Sequence, residues 1–252
     1  ENPVLVVSAH AGVTNALVAL GKGAPHGDID LTGIIDRHRE LLAGLERPAD
    51  LLDAQFEEMT DLVRGMKLVS EASPRALDLL LSFGERCSSR VIAAFFNARG
   101  LQAVAVNSYE AGLRTDGTFG RARPLPDDGR IAKYLAAVDG IPVVTGFLGI
   151  DDKGNITTLG RNGSDFSAAL IGNALGAEEI QIWTDVDGVM TADPRLVEGT
   201  QPIPTMSFGE ASELAYYGGK VLHPATIRSN SAPFKPCRRP KYRTCSRAVR
   251  RG

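Results

Sequence analysis

Apolar residues recur along this chain with two alternating periods, and each stretch predicts an element. Val4 to Ser8 is a short, β-branched apolar run and reads as a buried strand. Ala9 to Gly12 turns, and Thr14-Asn15 is placed to cap a helix running to about Leu20. Thr32 to Leu45 and Leu51 to Val69 repeat apolar residues three and four apart, the helical period. Ser73-Pro74 offers a Ser cap with Pro in the first turn. Glu85 to Ala98 predicts a helix with Val91, Ile92, Phe95 and Phe96 on its buried stripe and Gly100 as its stop. Ala103 to Asn107 reads as a strand. Gly112 to Asp128 has no period and is rich in Gly, Asp and Pro, which predicts a mobile loop.

Ile131 to Val138 follows as a helix. Ile141 to Phe147 is almost wholly apolar, as a parallel strand covered on both faces should be. Ile156 to Leu159 leads into a glycine-bearing turn, and a helix is predicted from about Phe166 to Leu175, closed by Gly176. Glu179 to Thr184 is a strand, Phe208 to Tyr217 a helix, and Gly218-Gly219 opens a short segment to Ile227. Strand and helix alternate throughout. The expected class is α/β: a three-layer α/β/α sandwich with a mostly parallel central sheet.

Composition adds bounds. The 252 residues suffice for one large or two small α/β domains, and no apolar run is long enough to span a membrane. Glu1 stands where a signal peptide would carry basic residues. Cys87, Cys237 and Cys245 are few and widely spaced, so a cytoplasmic setting is expected and a disulfide framework is not. His10, His26, His38 and His223 show no ligand spacing, so no structural metal is expected. The net charge of −2 hides an asymmetry: Arg228 to Gly252 holds nine cations and no acid, leaving 19 cations against 30 acids elsewhere. A nucleic-acid-binding tail is one reading of that stretch, but no motif supports it.

Several segments can carry chemistry. Leu159 to Asp165 places glycines, Arg161, Ser164 and Asp165 between a strand end and a helix start, where free N–H groups and the helix dipole favour an anion. Arg161 suits a two-point carboxylate clamp; a plain helix cap with a surface arginine is the competing reading. Thr184-Asp185-Val186-Asp187-Gly188 sits at the carboxyl end of a predicted strand, where ligands of open α/β sheets gather, with Asp193-Pro194-Arg195 close behind. These can equally be two polar turns. Lys220, beside glycines, can neutralise phosphate oxygens or simply be solvated. Glu85 follows Gly84 at a predicted helix start, where the dipole favours an acid with or without a ligand ammonium. There is no G-x-x-x-x-G-K-[ST] and no G-x-S-x-G. Gly21-Lys22-Gly23 with Gly27 has the wrong spacing for a dinucleotide fingerprint and reads as a loop.

Together the segments resemble one family. Ser82-Phe83-Gly84-Glu85-Arg86 resembles the S-x-G-E segment of aspartate kinases, and Val144 to Gly149 their glycine-bearing strand. Thr158 to Asp165 is similar to their T-L-G-R-[GN]-G-S-D turn, Trp183 to Val189 with Thr191 to Arg195 to their nucleotide segment, and Gly219 to Pro224 to their K-V-L-H-P run. Ser8 to Asn15 resembles S-A-x-A-G-x-T-N.

The resemblance implies an amino acid kinase domain over 1–227, with an amino-acid lobe over about 1–150 and a nucleotide lobe over about 151–227; the remaining 228–252, basic, rich in Arg, Pro and Ser and without apolar periodicity, reads as a disordered tail. It implies transfer of a phosphoryl group from ATP, with Mg2+, to L-aspartate. By position, Thr14, Glu85, Arg161, Asn162, Gly163 and Ser164 would bind aspartate. Asp165 and Lys220 would be catalytic, and Thr184, Asp185, Met190, Arg195, Lys220 and Val221 would contact ATP. Met190 stands where the family usually has Tyr. The family also opens with a strand ending K-F-G-G-T-S, so the expectation is a sheet without that strand, and a non-catalytic nucleotide-binding remnant is an alternative reading. Another member of the same family, acting on a different acceptor, is a second alternative. A homodimer is allowed. Beyond Ile227 the likeness fades, and Ser229 to Gly252 reads as out-of-frame sequence.

Overall fold

The computed structural model describes residues 3–160, 162–183, 191–192, 197–201, 203 and 241–245. The chain divides into two compact units, Glu1–Ser164 and Asp165–Gly252. In chain order the elements are β1 (Leu5–Val7), α1 (Val13–Gly23), α2 (Thr32–Gly44), α3 (Asp53–Val69), α4 (Pro74–Asn97), β2 (Ala103–Val106), α5 (Arg130–Ala136), β3 (Ile141–Thr145), β4 (Leu148–Ile150), β5 (Ile156–Thr158), α6 (Gly163–Ala174), β6 (Glu179–Trp183) and β7 (Lys241–Cys245).

In the first unit, β3 lies between β1 and β2 in a parallel sheet, with Val7 beside Thr145 and Val106 beside Val144. The helices pack by the periods read above. Val13, Leu17 and Leu20 of α1, Phe56, Met59, Val63 and Met66 of α3, and Leu80, Phe83, Cys87 and Val91 of α4 form one buried cluster. Each large apolar side chain so buried contributes about 1.5–3 kcal/mol. Further along α4, Ala93, with Ile92 and Phe96, joins Ala103 and Val143 with Leu5 and Val7 in a second cluster against the sheet. A long α4 thus touches both the helical layer and the strands. Among the described residues no helix is long and apolar enough to cross a membrane.

The structure corrects several local expectations. Ser73 caps α4 as predicted, accepting from the Ala76 N–H at 3.2 Å, but α4 then runs unbroken for 24 residues through Gly84. Glu85 is therefore mid-helix, and the dipole gives it no support. Left-handed Gly12 precedes α1, with no side-chain cap, so Thr14 and Asn15 lie inside the first turn. Gly21-Lys22-Gly23 belongs to α1 rather than a loop; a Cβ on Gly21 would come 2.6 Å from Leu77 Cδ2, so the glycine serves helix packing.

The segment 112–128 is tied down instead of mobile: Thr115 pairs with Pro124, Arg114 with Ile150, and the Thr115 and Thr157 hydroxyls meet at 2.8 Å. Leu148–Ile150 and Ile156–Thr158 form an antiparallel hairpin around a turn at Asp151–Asn155 that only its second half announced in the sequence.

In the second unit, Gly176, at φ 61°, stops the helical run as predicted. A Cβ on Gly172 would come 2.6 Å from Ile180 Cδ1, so a small residue lets β6 return against α6. β7 pairs with β6 in parallel register, Ile180 beside Tyr242 and Ile182 beside Thr244. Five residues of the stretch expected to be disordered are thus a strand; Tyr and Thr favour that conformation, and the run is long enough to pair. The rest of 228–252 lies outside the described residues.

Candidate active site

Three loops leave the carboxyl edge of the parallel sheet: Ser8–His10 after β1, Asn107–Ser108 after β2 and Gly146–Phe147 after β3. Crevices at this edge are where open α/β sheets bind ligands.

Glu85 reaches the first of these loops. It is 3% exposed, and its Oε1 accepts the Ala9 N–H at 3.1 Å. Its Oε2 is buried and has no hydrogen-bond partner among the described residues. Burial raises the carboxyl to about 7, with the Ala9 N–H pulling the other way. Gly84 makes this approach possible: a Cβ there would sit 2.7 Å from the Ala9 Cβ and 3.5 Å from Leu17 Cδ1. Glycine inside a helix costs about 1 kcal/mol relative to alanine, so its place here is set by contact, not propensity.

The second approach is at Gly146. A Cβ there would lie 2.8 Å from the Ser164 Cβ and 2.9 Å from the Ser164 Cα. Next to it Phe147 has φ 65°, and Leu148 N–H donates to the Gly146 carbonyl at 2.7 Å, the i-to-i+2 bond of a γ-turn. Left-handed backbone at a bulky aromatic is held only where the surroundings over-determine it, and such residues cluster at functional sites.

The surroundings are explicit. Ser108 N–H donates to Thr145 Oγ1 at 2.9 Å, and the Ser108 hydroxyl donates to the Leu148 carbonyl at 2.7 Å. Both side chains are fully buried. The Leu159 N–H reaches the Phe147 carbonyl at 2.9 Å, joining the γ-turn to the turn that follows β5. Thr145→Val would leave the Ser108 N–H buried without an acceptor. The expected result is a loss of about 1–3 kcal/mol in urea unfolding, whereas Thr145→Ser should hold nearly the parent value.

One connected path thus joins the two approaches. Glu85 holds Ala9; the Val7 carbonyl, at the end of β1, accepts the Gly146 N–H at 2.8 Å; Gly146 abuts Ser164. The sequence-predicted residues fall on this path in part. Thr14 is exposed in the first turn of α1. Asn162 has φ 56°, Gly163 is buried and Ser164 half-buried. Helix α6 begins at Gly163, earlier than expected, so Ser164 and Asp165 occupy its first turn, where the dipole favours a carboxylate. Arg161, Thr184, Asp185, Met190, Arg195, Lys220 and Val221 lie outside the described residues.

Sequence reasoning missed the parts played by the Ala9 amide, Ser108 and Thr145. Gly146 and Phe147 were inside a recognised strand, but nothing in a Phe signals a left-handed backbone.

Other reactive side chains are set aside by their surroundings. Burial pushes the Cys87 thiol up to about 12, so it is no thiolate nucleophile. Burial also lowers His10 to about 4, with His38 and Arg37 adding to the effect, and keeps it neutral. Among the described residues no group of three or more His, Cys, Asp or Glu could hold a metal ion. Magnesium that rides on phosphate oxygens asks for only one or two protein carboxylates, and Asp165 in the first turn of α6 fits that donor set.

The profile of the amino acid kinase family matches residues 1–232, and the chain belongs to that family. Within it, the chain is similar to aspartokinases. It is 38% identical over 246 residues to aspartokinase 1, chloroplastic, of Arabidopsis thaliana, an alignment covering 90% of this chain and 42% of that protein. It is 38% identical over 237 residues to the lysine-sensitive aspartokinase 3 of Escherichia coli, covering 89% of this chain and 51% of that protein. The crystal structure of E. coli aspartokinase III in complex with aspartate and ADP superposes with a TM-score of 0.77 at 35% identity, covering 92% of this chain and 54% of that one. The chain therefore spans about half the length of the relatives it matches, and it shares their α/β amino acid kinase fold.

Proposed function

We propose that this protein is an aspartate kinase, transferring the γ-phosphoryl group of ATP to the side-chain carboxylate of L-aspartate to give 4-phospho-L-aspartate and ADP. The observation that carries the reading is Glu85. It is a buried carboxylate in an S-F-G-E segment, with one oxygen held by the Ala9 amide and the other unpartnered among the described residues. Such an oxygen suits a substrate ammonium, because a buried carboxylate gains most from an opposite charge brought to it.

In this reading Thr14, Arg161, Asn162, Gly163 and Ser164 hold the aspartate carboxylates. Asp165 and Lys220 serve the transfer itself, and Thr184, Asp185, Met190, Arg195, Lys220 and Val221 hold ATP. Magnesium would supply charge neutralisation on the phosphates, with Asp165 as a carboxylate able to face it. Catalysis then consists of positioning and electrostatic stabilisation, since phosphoryl transfer asks little covalent chemistry of the protein.

The amino-acid lobe would span about 1–150, inside the first compact unit, and the nucleotide lobe about 151–227. Similarity to a protein solved with aspartate and ADP supports both ligands. The test is ADP release with ATP, Mg2+ and a panel of acceptors: aspartate, glutamate, acetylglutamate, carbamate and UMP. Turnover with aspartate alone is expected, and turnover with another acceptor in its place would overturn the reading.

A further inference from the structure

We propose that Asp78 is a positioning residue for this reaction, clamping the turn that ends in Ser164 to the helix that carries Glu85. Asp78 lies on α4 two helical turns before Glu85, on the same face, and is 1% exposed. Its carboxylate takes three donors from outside its own helix. The Gly120 N–H lies 3.0 Å from both oxygens, the Thr158 N–H 2.9 Å from Oδ2, and the Thr158 hydroxyl 2.9 Å from Oδ1. Every contact is a donor; burial raises the Asp78 carboxyl and these donors oppose it, so a carboxylate with acceptors on both oxygens fits and an amide does not.

What the carboxylate holds matters more than how tightly. Thr158 ends β5, and the turn begins at the next residue. The Ala122 N–H donates to the Thr158 carbonyl at 2.8 Å, and a Cβ on Gly160 would lie 3.3 Å from the Gly120 carbonyl oxygen. Residues 120–122 and 158–160 therefore run side by side, with the Asp78 carboxylate across their start. From there the turn is closed by the Gly163 N–H on the Gly160 carbonyl at 3.0 Å, and Ser164 follows. One helix thus carries Glu85 and, two turns back, the anchor of the turn. The distance between the two ends of a bound substrate is set by a single rigid element, the arrangement that gives precise positioning. The proposal takes its substrate from the aspartate kinase reading; the clamp itself does not need it.

Two measurements on Asp78→Asn, Thr158→Val and Thr158→Ser test this. In kinetics, Asp78→Asn is expected to raise KM for aspartate about tenfold or more, with KM for ATP within about twofold. Thr158→Val should shift the same way by about threefold, and Thr158→Ser, which keeps both donors, should restore the parent value. In amide exchange, Asp78→Asn should speed exchange in 116–122 and 158–163 while α3 stays protected.

Equal rises in both KM values, or exchange spreading to α3, would make Asp78 a general stabiliser and overturn the proposal. Unchanged exchange in the turn would do so too. If the parent protein uses no aspartate, the functional reading fails on that result alone, and the exchange pattern still decides the clamp. Should Asp78→Asn fail to fold, the contrast between Thr158→Val and Thr158→Ser decides it.

Discussion

Glu85→Gln is expected to lower kcat/KM for aspartate by on the order of 100-fold or more, while leaving KM for ATP close to the parent value. Gln keeps an oxygen for the Ala9 N–H but turns the second position into a donor. A substrate ammonium would then meet an N–H group instead of a negative oxygen. Removing one partner of a buried charge pair costs about 2–5 kcal/mol, and each 1.4 kcal/mol is tenfold.

The parent should also show a pH profile that the variant lacks. Burial raises the Glu85 carboxyl to about 7, so in free enzyme it is largely protonated at pH 6. kcat/KM for aspartate should fall by up to about tenfold per pH unit below that point. Bound ammonium favours the ionised form, so the inflection in kcat should lie at lower pH than that in kcat/KM. An inflection at the same pH in Glu85→Gln would remove Glu85 as its source.

Stability has the opposite sign. Between its ordinary value of 4.5 and about 7, the carboxyl keeps its proton in the folded state and has lost it in the unfolded one. Its contribution is therefore most favourable below 4.5 and declines as pH rises to about 7, by at most about 3 kcal/mol. Urea midpoints for the parent should fall over that window, and the fall should be smaller in the variant. A residue that weakens the empty fold above pH 7 while serving the ligand is what a binding group in a dry site should look like.

Local patterning made most of the first unit legible in advance. The helices α2 and α3 begin and end within about two residues of the apolar periods that announced them, because each buries one stripe against its neighbours. The strands β1, β2 and β3 were readable from apolar runs between turns, as covered parallel strands should be.

What escaped notice shares one cause: it depends on partners distant in sequence. Gly84 looks like a helix boundary until Ala9, far back in the chain, is placed against it; only then is it a close-packed glycine inside a long α4. The segment 112–128 looks mobile until Asp78, Thr157 and Ile150 supply its hydrogen bonds. Glu85 stands out in the sequence as an acid at a helix start, but it lies inside α4, and burial, not a helix terminus, sets its state.

Gly146→Ala is expected to separate the site from the fold. Alanine is the better residue at the end of a strand by intrinsic propensity, and Gly146 is not in the left-handed region, so the backbone alone would accept the change. The obstacle is space: the new methyl would lie 2.8 Å from the Ser164 Cβ and 2.9 Å from its Cα. One of those atoms is backbone, so no rotamer change of Ser164 relieves the clash, and either Gly146–Phe147 or the start of α6 must shift.

The γ-turn side is held by the buried Ser108 and Thr145 bonds. The start of α6 therefore yields, by several tenths of an ångström or more. Overpacking of this kind costs about 1–3 kcal/mol of stability, leaving a folded protein with a lowered urea midpoint. A displacement approaching 1 Å at a substrate-positioning residue can cost about 100-fold in rate, so kcat/KM for aspartate should fall far more than the stability loss alone would explain. Ser164→Gly in the Gly146→Ala background removes the side-chain half of the clash and leaves the backbone half, so it should recover part of the stability and little of the activity. Full recovery of both would place the clash on the side chain and refute the backbone displacement argued here.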